Sequence, residues 1–83
     1  MKIITWNIQG CNNPLKTRLL KRKIMVEHPW IIFLQETKCT GEDLKKIAKK
    51  AWPRCKEVAT NAMGTTGGLG ILCNPQHVSL YGF

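Results

Sequence analysis

The sequence predicts an α/β fold that opens with a β-α-β unit. Two short segments rich in apolar, β-branched and aromatic residues, residues 2–7 and 30–34, are typical of strands, and the segment between them has helical spacing. Gly10 follows the first strand and Pro29 precedes the second. Because a helix connects them, we expect the two strands to be parallel, with a right-handed crossover.

The first helix is predicted to begin at Pro14 and to end at His28. Asn13 is a suitable N-cap, and Pro14 fits the first helical position. The residue before Pro29 is pushed out of the helical region by the proline ring. One broad apolar face is expected to turn towards the core, and it consists of Leu15, Leu19, Leu20, Ile24 and Val26.

A second helix and a hairpin are predicted to follow. Thr40 would cap a helix over residues 41–51, whose inward residues are Leu44, Ile47, Ala48 and Ala51. Residues 55–60 and 67–73 form a predicted hairpin with a long tip, and residues 78–83 begin another strand. A chain this short leaves one sheet face partly bare, and the candidates for exposure on it are Trp6, Phe33, Ile71 and Leu72.

Polar residues follow both strands of the β-α-β unit. Asn7 ends the first strand, and Glu36 comes directly after the second. Carboxyl ends of parallel strands are where open α/β sheets place their ligands, so both residues are expected at one edge. Taken alone, Glu36 would be interpreted as a solvated glutamate at a strand end, and Asn7 at the end of the neighbouring strand weakens that interpretation.

Three motifs carry a family resemblance. They are Thr-Trp-Asn-Ile-Gln-Gly at residues 5–10, Leu-Gln-Glu-Thr-Lys at residues 34–38 and Gly-Gly-Leu-Gly-Ile-Leu at residues 67–72. Their order resembles the endonuclease/exonuclease/phosphatase superfamily, and most of all the endonuclease domain of plant-like LINE-type retrotransposons. The abasic-site repair endonucleases are relatives of that domain. The resemblance runs from Lys2 to about Pro75 and implies the N-terminal part of a four-layer α/β sandwich.

The resemblance implies a metal-dependent phosphodiester hydrolase. Glu36 matches the family's metal ligand and would hold Mg²⁺ or Mn²⁺, and Asn7 matches the asparagine that orients the phosphate and the catalytic carboxylate. Lys38 and Gln9 would not bind the metal themselves but would contact the groups that surround it. Gln9 departs from the aspartate of many repair relatives, and an amide is a poor metal ligand.

Other parts of the family's site have no match in this chain. The later Asp-x-Asn and Ser-Asp-His motifs do not occur, and the single aspartate, Asp43, stands in a segment that resembles a capping box. His28 and His77 lie in no matching motif. We therefore expect residues 1–83 to be a partial domain without its C-terminal remainder, inactive alone.

Charge points to a polyanionic partner. The chain has 13 basic and 5 acidic residues, a net charge of +8 and a pI near 9.7. The basic residues concentrate in the two predicted helices, where solvated helix faces are the alternative interpretation. We expect sequence-tolerant contacts with the phosphate backbone of DNA. The candidate contacts are Lys16, Arg18, Lys45 and Lys49. A small basic nucleic-acid-binding fragment and a non-functional retroelement remnant remain alternative interpretations of the chain.

The remaining features of the sequence exclude zinc fingers, secreted proteins with a signal at the start of this sequence, and segments that span a membrane. The four cysteines have no zinc-finger spacing, the first residues are not a secretory signal, and the apolar run at residues 30–34 is too short to span a bilayer. Membrane binding is not expected either, because the apolar helix faces are needed for the core.

No small-molecule cofactor is expected. The glycines at residues 67–70 lack the following lysine and helix of a nucleotide-binding loop, so they indicate either close approach of DNA or a tight contact within the sheet. We expect an intracellular protein with reduced thiols, acting in the nucleus by resemblance.

Overall fold

The computed structural model describes residues 2–59 and 68–77. This part of the chain forms β1 (Ile3–Asn7), α1 (Pro14–Glu27), β2 (Ile31–Gln35), α2 (Gly41–Ala51), β3 (Lys56–Ala59) and β4 (Leu69–Cys73). The α/β architecture and the order of the six elements are as predicted. The strand expected at residues 78–83 lies outside the described residues, as does the tip of the hairpin.

The four strands form one mixed sheet in the order β1-β2-β4-β3. β1 and β2 are parallel, as expected for a β-α-β unit, and every pair in their register is 28 positions apart, from Ile3 with Ile31 to Asn7 with Gln35. β3 and β4 form the predicted antiparallel hairpin. The hairpin folds back so that β4 lies between β3 and β2 and is antiparallel to both.

The boundaries of α1 follow the predicted signals. The extended residue Asn13 accepts a hydrogen bond on its side chain from the backbone N–H of Leu15 at 2.9 Å, and Pro14 begins the helix. At the other end, His28 adopts a left-handed conformation with φ 48°, and its N–H donates to the carbonyl of Ile24. Pro29 then prevents the helix from continuing.

The apolar face of α1 is narrower than predicted. Leu20 is fully buried and Ile24 is half-buried, one turn apart. The other three residues of the predicted face are exposed, because α1 meets the rest of the molecule along this single stripe: Leu15 (56%), Leu19 (41%) and Val26 (67%). Leu19 and Val26 instead line an open cleft with Trp6.

Helix α2 agrees with its prediction. Thr40 accepts a hydrogen bond on its hydroxyl from the backbone N–H of Asp43 at 3.1 Å, so the capping role inferred for this segment is confirmed. Leu44, Ala48 and Ala51 are buried and Ile47 is half-buried. Within the described residues, no helix has the length and apolar character needed to cross a membrane.

The helices cover one face of the sheet, and alternation along the strands decides which residues they cover. Ile32 and Leu72, which are register partners, are both fully buried. The expected exposure of Leu72 is therefore wrong. Trp6 is only half-buried on the covered side, where the ammonium of Lys23 lies 5.6 Å from its ring centroid.

The opposite face is the barer one. Phe33 and Ile71, which are register partners on that face, are half-buried. Ile3 (50%) and Leu69 (58%), at its margins, are among the exposed large apolar residues. The prediction of a partly bare sheet face is thus correct, with Ile3 and Leu69 in place of Trp6 and Leu72.

Candidate functional site at the carboxyl ends of β1 and β2

Two loops meet where β1 and β2 end. Loop 1 comprises residues 8–12 and loop 2 comprises residues 36–39. Their backbones remain hydrogen-bonded beyond the strands, with N–H to carbonyl distances of 3.0 Å (Ile8 to Gln35), 2.7 Å (Gly10 to Glu36) and 2.9 Å (Cys11 to Thr37). Asn7 pairs with Gln35, the residue before Glu36. The structure therefore brings the two predicted residues, Asn7 and Glu36, to the same sheet edge.

Left-handed backbone concentrates in these loops. Gln9, Glu36 and Lys38 have φ values of 53°, 52° and 52°, and the glycine of loop 1, Gly10, has φ 92°. For a residue with a Cβ, this region is unfavourable by about 1–2 kcal/mol. Such strain persists only where surrounding contacts impose it, and it clusters at functional sites. Three of the four residues predicted for the site's chemistry are thus held in a conformation that the sequence alone does not favour.

The Glu36 carboxylate is available to a ligand. Its side chain is half-buried, and it has no hydrogen-bond or salt-bridge partner within residues 2–59 and 68–77. Asn7, at the end of β1, is exposed, as are Gln9 on loop 1 and Lys38 on loop 2. The stem of Lys38 lies over Gly10, where an added Cβ would be 3.9 Å from the lysine Cδ.

The described residues do not complete a metal centre. They contain no group of three or more His, Cys, Asp or Glu side chains placed to hold an ion. Asp43 is occupied at the start of α2, where its carboxylate accepts a hydrogen bond from Asn12 at 3.5 Å. His77 stacks on Trp30, ring centroids 4.3 Å apart, and Trp30 precedes β2 at the end of the sheet opposite Glu36.

Loop 2 is anchored by a residue that sequence reasoning did not single out. Thr37 is 1% exposed, and its N–H donates to the carbonyl of Gly68 at 3.2 Å. Its hydroxyl has no hydrogen-bond partner in the described part of the chain. A Cβ on Gly70 would lie 3.6 Å from the Thr37 methyl and 2.5 Å from Leu44 Cδ2. At Gly70, therefore, the glycine permits a tight contact of β4 with α2 and loop 2, rather than the contact within the sheet that was one predicted alternative.

A second missed feature is a pair of thiols. Cys11 and Cys39 are both buried, and their Sγ atoms are 2.6 Å apart. Burial, followed by the hydrogen bond with Cys39, raises the pKa of Cys11 to about 12. Cys11 and Cys39 each stand four residues beyond the register partners Asn7 and Gln35, but the loop backbone between them shifts by one residue, so the spacing alone did not specify this contact.

One of the four predicted DNA-contact residues, Arg18, lies in a groove of the structure. Arg18 lines a groove between α1 and α2 together with Lys21 and Lys50, close to loop 1. Lys16 is half-buried, and Lys45 and Lys49 are exposed, but these three are not among the residues lining the groove. Lys21 and Lys50 are the other basic residues that line this groove.

The architecture matches part of a solved enzyme. AP endonuclease LMAP from Leishmania major superposes with a TM-score of 0.65 and 24% sequence identity, over 88% of this chain and 23% of that one. No protein-family model matches the chain, and no curated protein does. The chain therefore has the fold of one part of an AP endonuclease, as the sequence predicted, and spans about a quarter of that enzyme's length.

Proposed function

We propose that this chain is the N-terminal part of a Mg²⁺-dependent phosphodiesterase that nicks DNA, of the kind found in LINE-type retrotransposons. The observation that carries the proposal is the carboxylate of Glu36, which lies at the carboxyl end of β2 near Asn7 and has no partner among residues 2–59 and 68–77. The endonuclease-like fold supports the reaction class, and the three sequence motifs support the LINE type. The nucleus is the corresponding place of action.

The donor atoms at this edge suit Mg²⁺ or Mn²⁺. Glu36 offers a carboxylate, and hard cations prefer oxygen ligands. Mg²⁺ is commonly held by one or two carboxylates, with water and substrate phosphate as its other ligands, so one carboxylate is a fitting contribution from one part of a domain. When bound, the ion would polarise the phosphodiester and stabilise the developing charge.

The neighbouring side chains have separate roles in this proposal. The amide N–H₂ of Asn7 would donate to a phosphate oxygen and so orient it. The ammonium of Lys38 would offset negative charge at the carboxylate, and the amide of Gln9 would donate to phosphate or water from loop 1.

No general base is present at this edge in the described residues. His28 caps α1, and His77 stacks on Trp30 at the other end of the sheet. A base must lie within hydrogen-bond reach of the proton that it abstracts. We therefore propose that residues 1–83 bind the ion and phosphate but do not hydrolyse DNA alone.

The test is Mn²⁺-induced broadening of backbone amide signals in the NMR spectrum of the 83-residue chain. We expect broadening centred on loops 1 and 2 in the native sequence and its loss in Glu36→Gln, which keeps the shape of the side chain but removes the charge. Glu57→Gln, in β3, is the matched control and should retain it. Undiminished broadening in Glu36→Gln would remove Glu36 from the metal site.

A basic DNA-binding fragment without chemistry is the second candidate. It is favoured by the groove that holds Arg18, Lys21 and Lys50, and by the net charge of +8. Only one ion pair forms among the described residues, between Lys2 and Glu27 at 2.8 Å, so most of the basic charge is unpaired. DNA binding that survives physiological salt, with no Mn²⁺ effect at loop 2, would favour this candidate. Absence of both would indicate a non-functional remnant.

A further inference from the structure

We propose that Cys11 and Cys39 form a thiol oxidation site, at which hydrogen peroxide produces a disulfide that ties loop 1 to loop 2. The two residues are free thiols whose Sγ atoms are 2.6 Å apart in the core. Among the described residues, no other pair of thiols makes such a contact. The inference concerns only the thiols and holds whether or not the proposed nuclease function is correct.

The contact lies just beyond the sheet, where the two loops remain paired. Residues of β1 and β2 pair at an offset of 28, and the loops shift this register by one residue, because Ile8 donates to Gln35 whereas Gly10 donates to Glu36. The backbone remains paired at this point, since the N–H of Cys11 donates to the carbonyl of Thr37 at 2.9 Å. A disulfide needs sulfur atoms about 2.05 Å apart, so the thiols must approach by roughly a further half ångström. No rearrangement of the strands is needed.

The chemistry proceeds in two balanced steps. Cys39, which is 6% exposed whereas Cys11 is fully buried, meets peroxide first. Its sulfur attacks one peroxide oxygen, the O–O bond breaks, and the products are Cys39 sulfenic acid and one water. The sulfur of Cys11 then attacks the sulfenic sulfur, the S–S bond forms as the S–O bond breaks, and a second water leaves with the Cys11 proton. Two thiols lose two electrons and two protons, and peroxide accepts them.

The bond would join the two segments that carry the candidate site. Loop 1 contains Gln9, and loop 2 contains Glu36 and Lys38. Cys39 also directly precedes Thr40, the N-cap of α2. Oxidation would therefore fix the separation of the loops and the start of α2 with one covalent bond.

The experiment is peptide mapping after mild oxidation of the folded chain by hydrogen peroxide, with remaining thiols alkylated before digestion. Trypsin places the four cysteines on four separate peptides, residues 3–16, 39–45, 55–56 and 57–83. We expect a cross-linked pair of peptides 3–16 and 39–45, lighter by two hydrogens than their sum, with Cys55 and Cys73 alkylated. Cys39→Ser should abolish the pair, and Cys73→Ser should retain it.

The same oxidation in concentrated urea gives the reference. In an unfolded chain, closure entropy favours the shorter separations, so Cys39–Cys55 should form roughly twofold more readily than Cys11–Cys39. In the folded chain we expect the order to reverse, with Cys11–Cys39 at least tenfold enriched. Full alkylation of both thiols after native oxidation would overturn the proposal, as would a native pattern equal to that in urea.

Discussion

The left-handed backbone at the candidate site predicts an unusual effect of glycine. Gln9 is exposed and has φ 53°, so Gln9→Gly removes few contacts and relieves a conformation that is unfavourable for any residue with a Cβ by about 1–2 kcal/mol. Glycine also increases the entropy of the unfolded chain, which opposes folding by roughly 0.5–1 kcal/mol. The net expectation is a stabilisation of about 0.5–1 kcal/mol relative to Gln9→Ala, which keeps the strain.

Urea unfolding followed by tryptophan fluorescence measures this difference. With a dependence of about 1 kcal/mol per M for a small domain, the midpoint of Gln9→Gly should exceed that of Gln9→Ala by roughly 0.5–1 M. The matched pair is Thr5→Gly and Thr5→Ala in the extended strand β1, where glycine should be the less stable by about 0.5–1 kcal/mol. A Gln9→Gly chain no more stable than Gln9→Ala would refute the assignment of strain to loop 1.

Two further predictions concern the core beneath the site. Gly70→Ala should lower the free energy of unfolding by about 1–3 kcal/mol, because the new methyl would lie 2.5 Å from Leu44 Cδ2. This loss of stability should largely disappear in a Leu44→Ala background, and an equal loss there would exclude the clash with Leu44 as its cause. Burial raises the pKa of Cys11 from 9.0 to about 12, so the folded state retains a proton that the unfolded state releases. The contribution of this thiol to stability is complete below pH 9 and falls as the pH rises towards 12. Urea midpoints measured between about pH 7 and 10.5 should therefore fall more steeply for the native chain than for Cys11→Ala. Parallel curves for the two chains would contradict this prediction.

The helices were predictable because their ends are determined locally. Asn13 and Thr40 accept the capping hydrogen bonds expected of their side chains, and the proline after His28 stops α1. The β-α-β unit was predictable for a similar reason, because a short connection through one helix leaves little freedom in strand direction. These signals lie within a few residues of the feature that they specify.

The errors have a different origin, since they concern contacts between distant segments. Leu72 was expected on the bare face, but one step of register decides the face of a strand residue, and its partner Ile32 lies under the helices. The insertion of β4 between β2 and β3 sets that register, and no local signal encodes it. The left-handed conformations of Glu36 and Lys38 escaped prediction because neither residue favours them; hydrogen bonds between the two loops accompany them.

The position of Glu36 depends on its backbone rather than on its side chain. Its carbonyl accepts from Gly10, the following residue is buried against β4, and its carboxylate contacts no described partner. A group held in this way can be neutralised without disturbing the fold, so a loss of Mn²⁺ binding in Glu36→Gln would report on ligand chemistry alone. Backbone hydrogen bonds between the two loops thus position Glu36 without involving its carboxylate. Among the described residues, nothing competes with an ion for this group. The other ligands of such an ion would be water, phosphate or protein outside the described residues.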